Sequence, residues 1–173
     1  MRNIMRTSTD DNLKSGSKVL SSSSNKFDSK NLITIKSRFG KIEVDKSKQI
    51  SFKHGILGIP RAVTFCLTKL PTITSDQFKL LQCLEDEELS FIVVPAQYDN
   101  RLIDSQDLDE ACKVLDIKTD KLLLLFIVTI HENGTKREIS VNAKAPVLID
   151  VESKTANQYV LQNPSYKIQH KIS

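Results

Sequence analysis

The stretch from Leu122 to Ile130 is the longest apolar run in the chain, and it limits what the chain can become. It is far short of the roughly 20 residues a membrane-crossing helix needs. It suits a strand buried on both faces, which requires a sheet covered on both sides. Asn133-Gly134 follows as the positive-φ pair preferred in a tight hairpin turn. Thr135 to Val141 then reads as the returning partner, with Arg137, Ile139 and Val141 on one side and Lys136, Glu138 and Ser140 on the other.

The rest of the chain supplies more short strands. Ile33 and Ile35, then Ile42 and Val44, alternate with polar residues across a turn at Phe39-Gly40, as in a hairpin or bent strand. Ile50 to Phe52 and Val63 to Leu67 are two further strands around the glycine-containing loop Gly55–Pro60, and Pro71 to Asp76 is a loop. Phe78 to Leu84 and Leu89 to Val94 are joined by Glu85-Asp86-Glu87-Glu88. Val147 to Val151, Gln158 to Leu161 and Tyr166 to Ile172 complete the strands. One helix interrupts them: Leu108, Ala111, Cys112 and Leu115 share a face, and Asp104 or Ser105 caps its start. The pattern predicts a mainly β fold, a compact β-barrel-like single domain over residues 32–173 with one short α-helix. Residues 1–31 form a Ser-rich basic leader, expected to be disordered because it is too polar to bury a core.

Composition narrows the function classes. Cys66, Cys83 and Cys112 are odd in number and widely spaced, as are His54, His131 and His170, which gives neither a disulfide framework nor a metal-ligand pattern. Reduced thiols and the lack of an apolar segment after the early arginines point to a cytoplasmic protein. The net charge of +4 belongs to the N-terminal end: residues 1–38 hold 8 Lys/Arg and 3 Asp/Glu, the remainder 17 and 18. No Lys/Arg cluster of the kind that tracks phosphates is visible in the globular part. No nucleophile elbow, no Cys–His signature and no phosphate-cradling glycine loop occurs, so no catalytic residue, cofactor or metal is expected. Asp99 and Asp104 are isolated carboxylates.

Five segments, in order, resemble the FliW family. They are Phe52-Lys53-His54-Gly55-Ile56-Leu57-Gly58-Ile59; Phe78 to Leu84 with Gln82; Leu89 to Val94 with Phe91; Asn142-Ala143-Lys144-Ala145-Pro146-Val147-Leu148-Ile149-Asp150; and Gln158 to Leu161 with Tyr166. The similarity spans about Ile33 to Ile172. The chain departs from the pattern at Leu57, where the family usually has Pro, at Ile59 for Phe, Cys83 for Ser, Ala143 for Leu and Asp150 for Asn. Leu57 and Ile59 are expected to loosen the Gly55–Pro60 loop.

The resemblance implies a cytoplasmic, non-enzymatic regulator of flagellum assembly. Such proteins bind flagellin before export and antagonise CsrA, the repressor of flagellin mRNA translation, with no cofactor, no small-molecule substrate, no membrane and no direct nucleic-acid contact. CsrA is basic, so the acidic turn Glu85, Asp86, Glu87 and Glu88 is one expected contact. The loop at Ile56, Leu57 and Ile59 is a second. Gly55, Gly58, Gln82, Phe91, Asn142, Ala145, Pro146 and Gln158 are expected to be structural. A small RNA-binding β-barrel acting directly on a transcript is the alternative. With no Trp, 3 Tyr and 7 Phe, most of the latter in strand runs, stacking platforms are scarce.

Overall fold

The structure, a computed structural model, describes residues 31–71, 76–97 and 101–172. The leader reading, the middle of the Pro71–Asp76 loop and Asp99 lie outside them. Among the described residues eleven strands and one α-helix are formed. They are β1 (Leu32–Ser37), β2 (Gly40–Asp45), β3 (Ile50–Phe52), β4 (Thr64–Lys69), β5 (Lys79–Cys83), β6 (Ser90–Ala96), α1 (Ser105–Leu115), β7 (Leu122–Asn133), β8 (Lys136–Val141), β9 (Val147–Asp150), β10 (Thr155–Gln158) and β11 (His170–Lys171).

Seven strands close on themselves in the order β7-β6-β5-β4-β3-β10-β9, and β9 returns to β7. All these pairs are antiparallel except β10 with β3. Closure gives every strand of the ring a partner on both sides over at least part of its length. The period-2 alternation of each strand then sorts side chains to the inside or outside. Phe52, Phe65, Leu81, Cys83, Val93, Leu125, Val147 and Ile149 fill the inside, with Phe52 and Phe65 ring centroids 4.8 Å apart.

Two apolar layers cover the outside. One packs Leu108, Ala111 and Cys112 of α1 against Leu124, Phe126 and Leu148. The other seats Ile35, Ile42 and Val44 of the β1–β2 hairpin on Cys66, Leu70 and Leu80. The helix begins as expected: the Asp104 carboxylate accepts the Gln106 N–H.

β7 contains the apolar run, but only part of it is buried on both faces. Leu122–Leu125 pair with β9, Leu124–Ile127 with β6, and Val128–Asn133 with β8. Leu124, Leu125 and Phe126 are buried on both faces. Beyond Ile127 the strand leaves the ring as a ribbon with β8, so Thr129 and Ile130 are exposed. The ribbon turn is also shifted by one residue: Asn133 pairs with Lys136, leaving Gly134 (φ 63°) and Thr135 as the two loop residues. Two late strands differ from expectation as well. β10 ends at Gln158 rather than starting there, because its register is set by β3 and β9, and β11 keeps only two residues.

Candidate partner-binding rim

Strand directions bring the dispersed signature residues to one end of the barrel. β3 and β10 finish there in parallel, β4 and β9 start there against them, and β5 finishes where β6 begins. The loops β3–β4 (53–63), β5–β6 (84–89) and β8–β9 (142–146) therefore share a rim with the residues after Gln158.

The first loop makes a four-residue turn, Ile56-Leu57-Gly58-Ile59, closed by the Ile59 N–H donating to the Ile56 carbonyl at 2.7 Å. Gly58 has φ 85°, the positive value that the third position of a type II turn needs. Gly55 has φ 66°, and a Cβ there would lie 2.6 Å from the Ile59 carbonyl oxygen and 2.8 Å from Pro60 backbone atoms. Only glycine fits. Ile56 is buried and Ile59 half-buried, while Leu57 stands 55% exposed.

The loop is held, contrary to the loosening expected from Leu57. A leucine in place of proline adds an N–H, and that N–H donates to Gln158 Oε1 at 3.1 Å. Gln158 Nε2 donates in turn to the Ala145 carbonyl at 3.1 Å. The Ala145 N–H donates to Asn142 Oδ1 at 2.9 Å. Pro146, buried just before β9, accepts the Tyr159 N–H. Three signature segments far apart in sequence are thus one hydrogen-bonded chain. Asp150 lies at the other end of β9, where its carboxylate accepts from Glu152 N–H and Ser153 Oγ and closes the next turn. Ala143 is buried in the helix-side layer.

The acidic turn is built from below. Gln82, fully buried, places its amide nitrogen 2.9 Å from the Cys83 carbonyl, 3.2 Å from that of Asp86, 3.1 Å from that of Glu87 and 3.2 Å from that of Leu89. Gln82 Oε1 and the Oγ of Ser90, its cross-strand partner, are buried without a hydrogen-bond partner among the described residues. Phe91 packs against the barrel interior, 6.3 Å from the Phe65 ring. All four acidic side chains are exposed. Asp86 accepts the Glu88 N–H, and Glu85 accepts the Thr64 N–H at 3.1 Å and the Cys83 thiol at 3.2 Å. Partial burial works against the charge on Glu85, yet these hydrogen bonds hold its carboxyl below the usual range. The Thr64 contact ties the acidic turn to the end of the apolar loop.

Some rim residues were not foreseen. Val63 (37% exposed) and Val160 (43%) join Leu57 as outward apolar side chains, and Lys53, His54 and Arg61 are exposed on the same loop as Leu57. Only strand direction brings Val160 here, so no local signal could have shown it.

The geometry offers little for covalent chemistry. Burial pushes the thiols of Cys66 (to about 11), Cys83 and Cys112 up, which keeps them protonated. His131 Nε2 lies 3.0 Å from Ser140 Oγ, a pairing made by the β7–β8 register, but that hydroxyl is buried and joins the ribbon strands. No group of three or more His, Cys, Asp or Glu able to hold a metal occurs among the described residues. No helix among them is long and apolar enough to cross a membrane.

Comparison with known proteins agrees with this architecture. The family profile described as FliW protein matches residues 33–172. The flagellar assembly factor FliW of Clostridium botulinum (strain Alaska E43 / Type E3) is 32% identical over 144 residues, covering 80% of this chain and 96% of that protein. That of Thermosipho africanus (strain TCF52B) is 28% identical over 138 residues, covering 79% and 92%. A crystal structure of the flagellar assembly factor FliW superposes with a TM-score of 0.61 at 24% identity, covering 81% of this chain and 95% of that one, and shares the fold. The chain belongs to the FliW family.

Proposed function

We propose that this chain is a cytoplasmic, protein-binding regulator of flagellum assembly. It holds flagellin before export and, when free, binds a CsrA-type translational regulator, relieving repression of flagellin mRNA translation. Family membership supports the flagellar role. The observation that carries the binding mode is the rim, where the exposed Leu57 sits on a cross-tied loop beside a preorganised acidic turn. A surface held in place before binding loses little entropy on association. An apolar anchor flanked by carboxylates suits a partner with an apolar segment and basic flanks.

Two partners drawing on one pool of this protein give a switch, because occupancy by one reduces what remains for the other. Titration calorimetry of the purified chain against flagellin, CsrA and a flagellin leader transcript tests the reading. Binding to either protein supports it, and retention of RNA with neither protein bound contradicts it. Charge reversal of Glu85, Asp86, Glu87 and Glu88 is expected to weaken CsrA association and flatten its salt dependence. An unchanged salt dependence removes the acidic turn from the interface.

A further inference from the structure

The opposite end of the barrel contains an open strand edge. β3 pairs with β4 only at Thr64 and Phe65, while β4 continues to Lys69. The Thr64 carbonyl accepts from Leu84 across β5. In an antiparallel ladder the direction alternates, so Leu67 and Lys69 turn their N–H and C=O groups away from β5. No strand among the described residues pairs with that side. β2 packs over the outer face of β4, where Thr68 Oγ1 donates to the Glu43 carbonyl at 3.3 Å and Cys66 Sγ to the Asp45 carbonyl at 3.7 Å. The 3-10 turn Lys46–Lys48 lies beside β4.

A groove of about 530 Å³ lies between β4 and the hairpin, its walls including Glu43, Asp45, Lys48, Leu67, Lys69 and Lys79. Lys69 and Lys79 are direct cross-strand partners, an arrangement that like charges disfavour. Lys79 has Asp76 at 3.4 Å, and Lys69 makes no ion pair among the described residues. The Asp45 carboxylate accepts from the Ser47 N–H and hydroxyl and lies 3.9 Å from the Lys48 ammonium, so it is balanced within its own wall, and Glu43 is the wall's other carboxylate.

We propose that the β4 edge at Leu67–Lys69 is a docking site for an extended acidic segment of a partner protein. Its main chain pairs with Leu67 and Lys69, and a carboxylate bridges Lys69 and Lys79. Free edges are normally covered or blunted. The like-charged pair is what selects an acidic occupant over a basic one. The site lies at the end of β4 away from the rim, so both surfaces can be occupied together.

The probe is an alternating valine–glutamate hexapeptide, with its valine–lysine counterpart as control, added to the full chain and followed by amide hydrogen exchange. The glutamate peptide is expected to slow exchange at Leu67 and Lys69 by about tenfold or more, and the lysine peptide to leave it unchanged. The double variant Lys69→Glu, Lys79→Glu is expected to invert that preference, and Leu57→Asp at the rim to leave it intact. Equal protection by both peptides, or by neither, overturns the proposal. So does protection of these amides in the full chain before any peptide is added, which would mean that the chain covers its own edge. Loss of the effect in Leu57→Asp also overturns it, because it places the peptide at the rim.

Discussion

The two ends of the barrel are closed by different means. At the rim, loops are tied to one another over long sequence distances: the Leu57–Gln158 bond spans 101 residues and the Thr64–Glu85 bond 21. At the far end, turns are mostly closed by their own residues. Asp45 takes Ser47, Asp150 takes Glu152 and Ser153, and Lys79 takes Asp76, each within 2 or 3 residues. Longer ties are fewer there: Lys154 Nζ donates to the Ser47 carbonyl, and the Val151 N–H donates to the Lys121 carbonyl at 3.0 Å. Cross-tied loops form one cooperative unit, whereas locally closed turns leave strand edges free. The rim is thus suited to present a fixed surface, and the far end to accept a strand.

The contrast should show first in glycine. Gly55→Val combines a strained φ with direct backbone overlap, and a loss of about 3 kcal/mol or more is expected in denaturant unfolding. Gly58→Ala, in open space at φ 85°, should lose only about 1 kcal/mol. Equal losses would mean that the loop re-forms around the new side chain and is not fixed.

Gln82→Leu comes next. It leaves the carbonyls of the acidic turn without their buried donor, and about 2 kcal/mol of stability should be lost, with faster amide exchange at Glu87 and Glu88. Ser47→Ala, in a local turn at the far end, should stay within about 0.5 kcal/mol. Asn142→Ala and Gln158→Leu each remove links of one chain of bonds, at about 1 kcal/mol apiece. The double variant should fall short of the sum by about 0.5 kcal/mol or more if the bonds act together, and additivity would show that they are independent.

The smallest effect is with acid. Hydrogen bonds from Ser153 and Glu152 hold Asp150 below its usual range, and those from Thr64 and Cys83 do the same for Glu85 against partial burial. Depressed folded values contribute stability that is present above the ordinary carboxylate pKa and lost as pH falls through the folded value. Glu85→Gln and Asp150→Asn should each make unfolding less pH-dependent across that acidic window, as seen in the melting temperature.

What the sequence revealed were features with local causes. The β1–β2 hairpin, the acidic turn and the α1 face follow from alternation, turn chemistry and helical spacing within about a dozen residues. The ring closure is not legible in the sequence, because the β10–β3 and β9–β7 registers are set by partners far along the chain. The local pattern starts a strand at Gln158 where the fold ends one. Lys69 and Lys79 are close in sequence, but they become direct neighbours only in the β4–β5 register, which the alternation of the two strands does not by itself select. Leu57 looks like a loosened proline position in the sequence because the acceptor for its N–H lies on β10.

Whether a protein partner is bound at the rim is decided by calorimetry of flagellin and CsrA with three forms of the chain. These are the native chain, Leu57→Asp at the rim, and Lys36→Glu on the exposed face of the hairpin. Rim binding predicts an interaction of at least one partner with the native chain, a loss of about tenfold or more with Leu57→Asp at unchanged melting temperature, and native affinity with Lys36→Glu. Full affinity in Leu57→Asp, or no binding of either protein by the native chain, would contradict it.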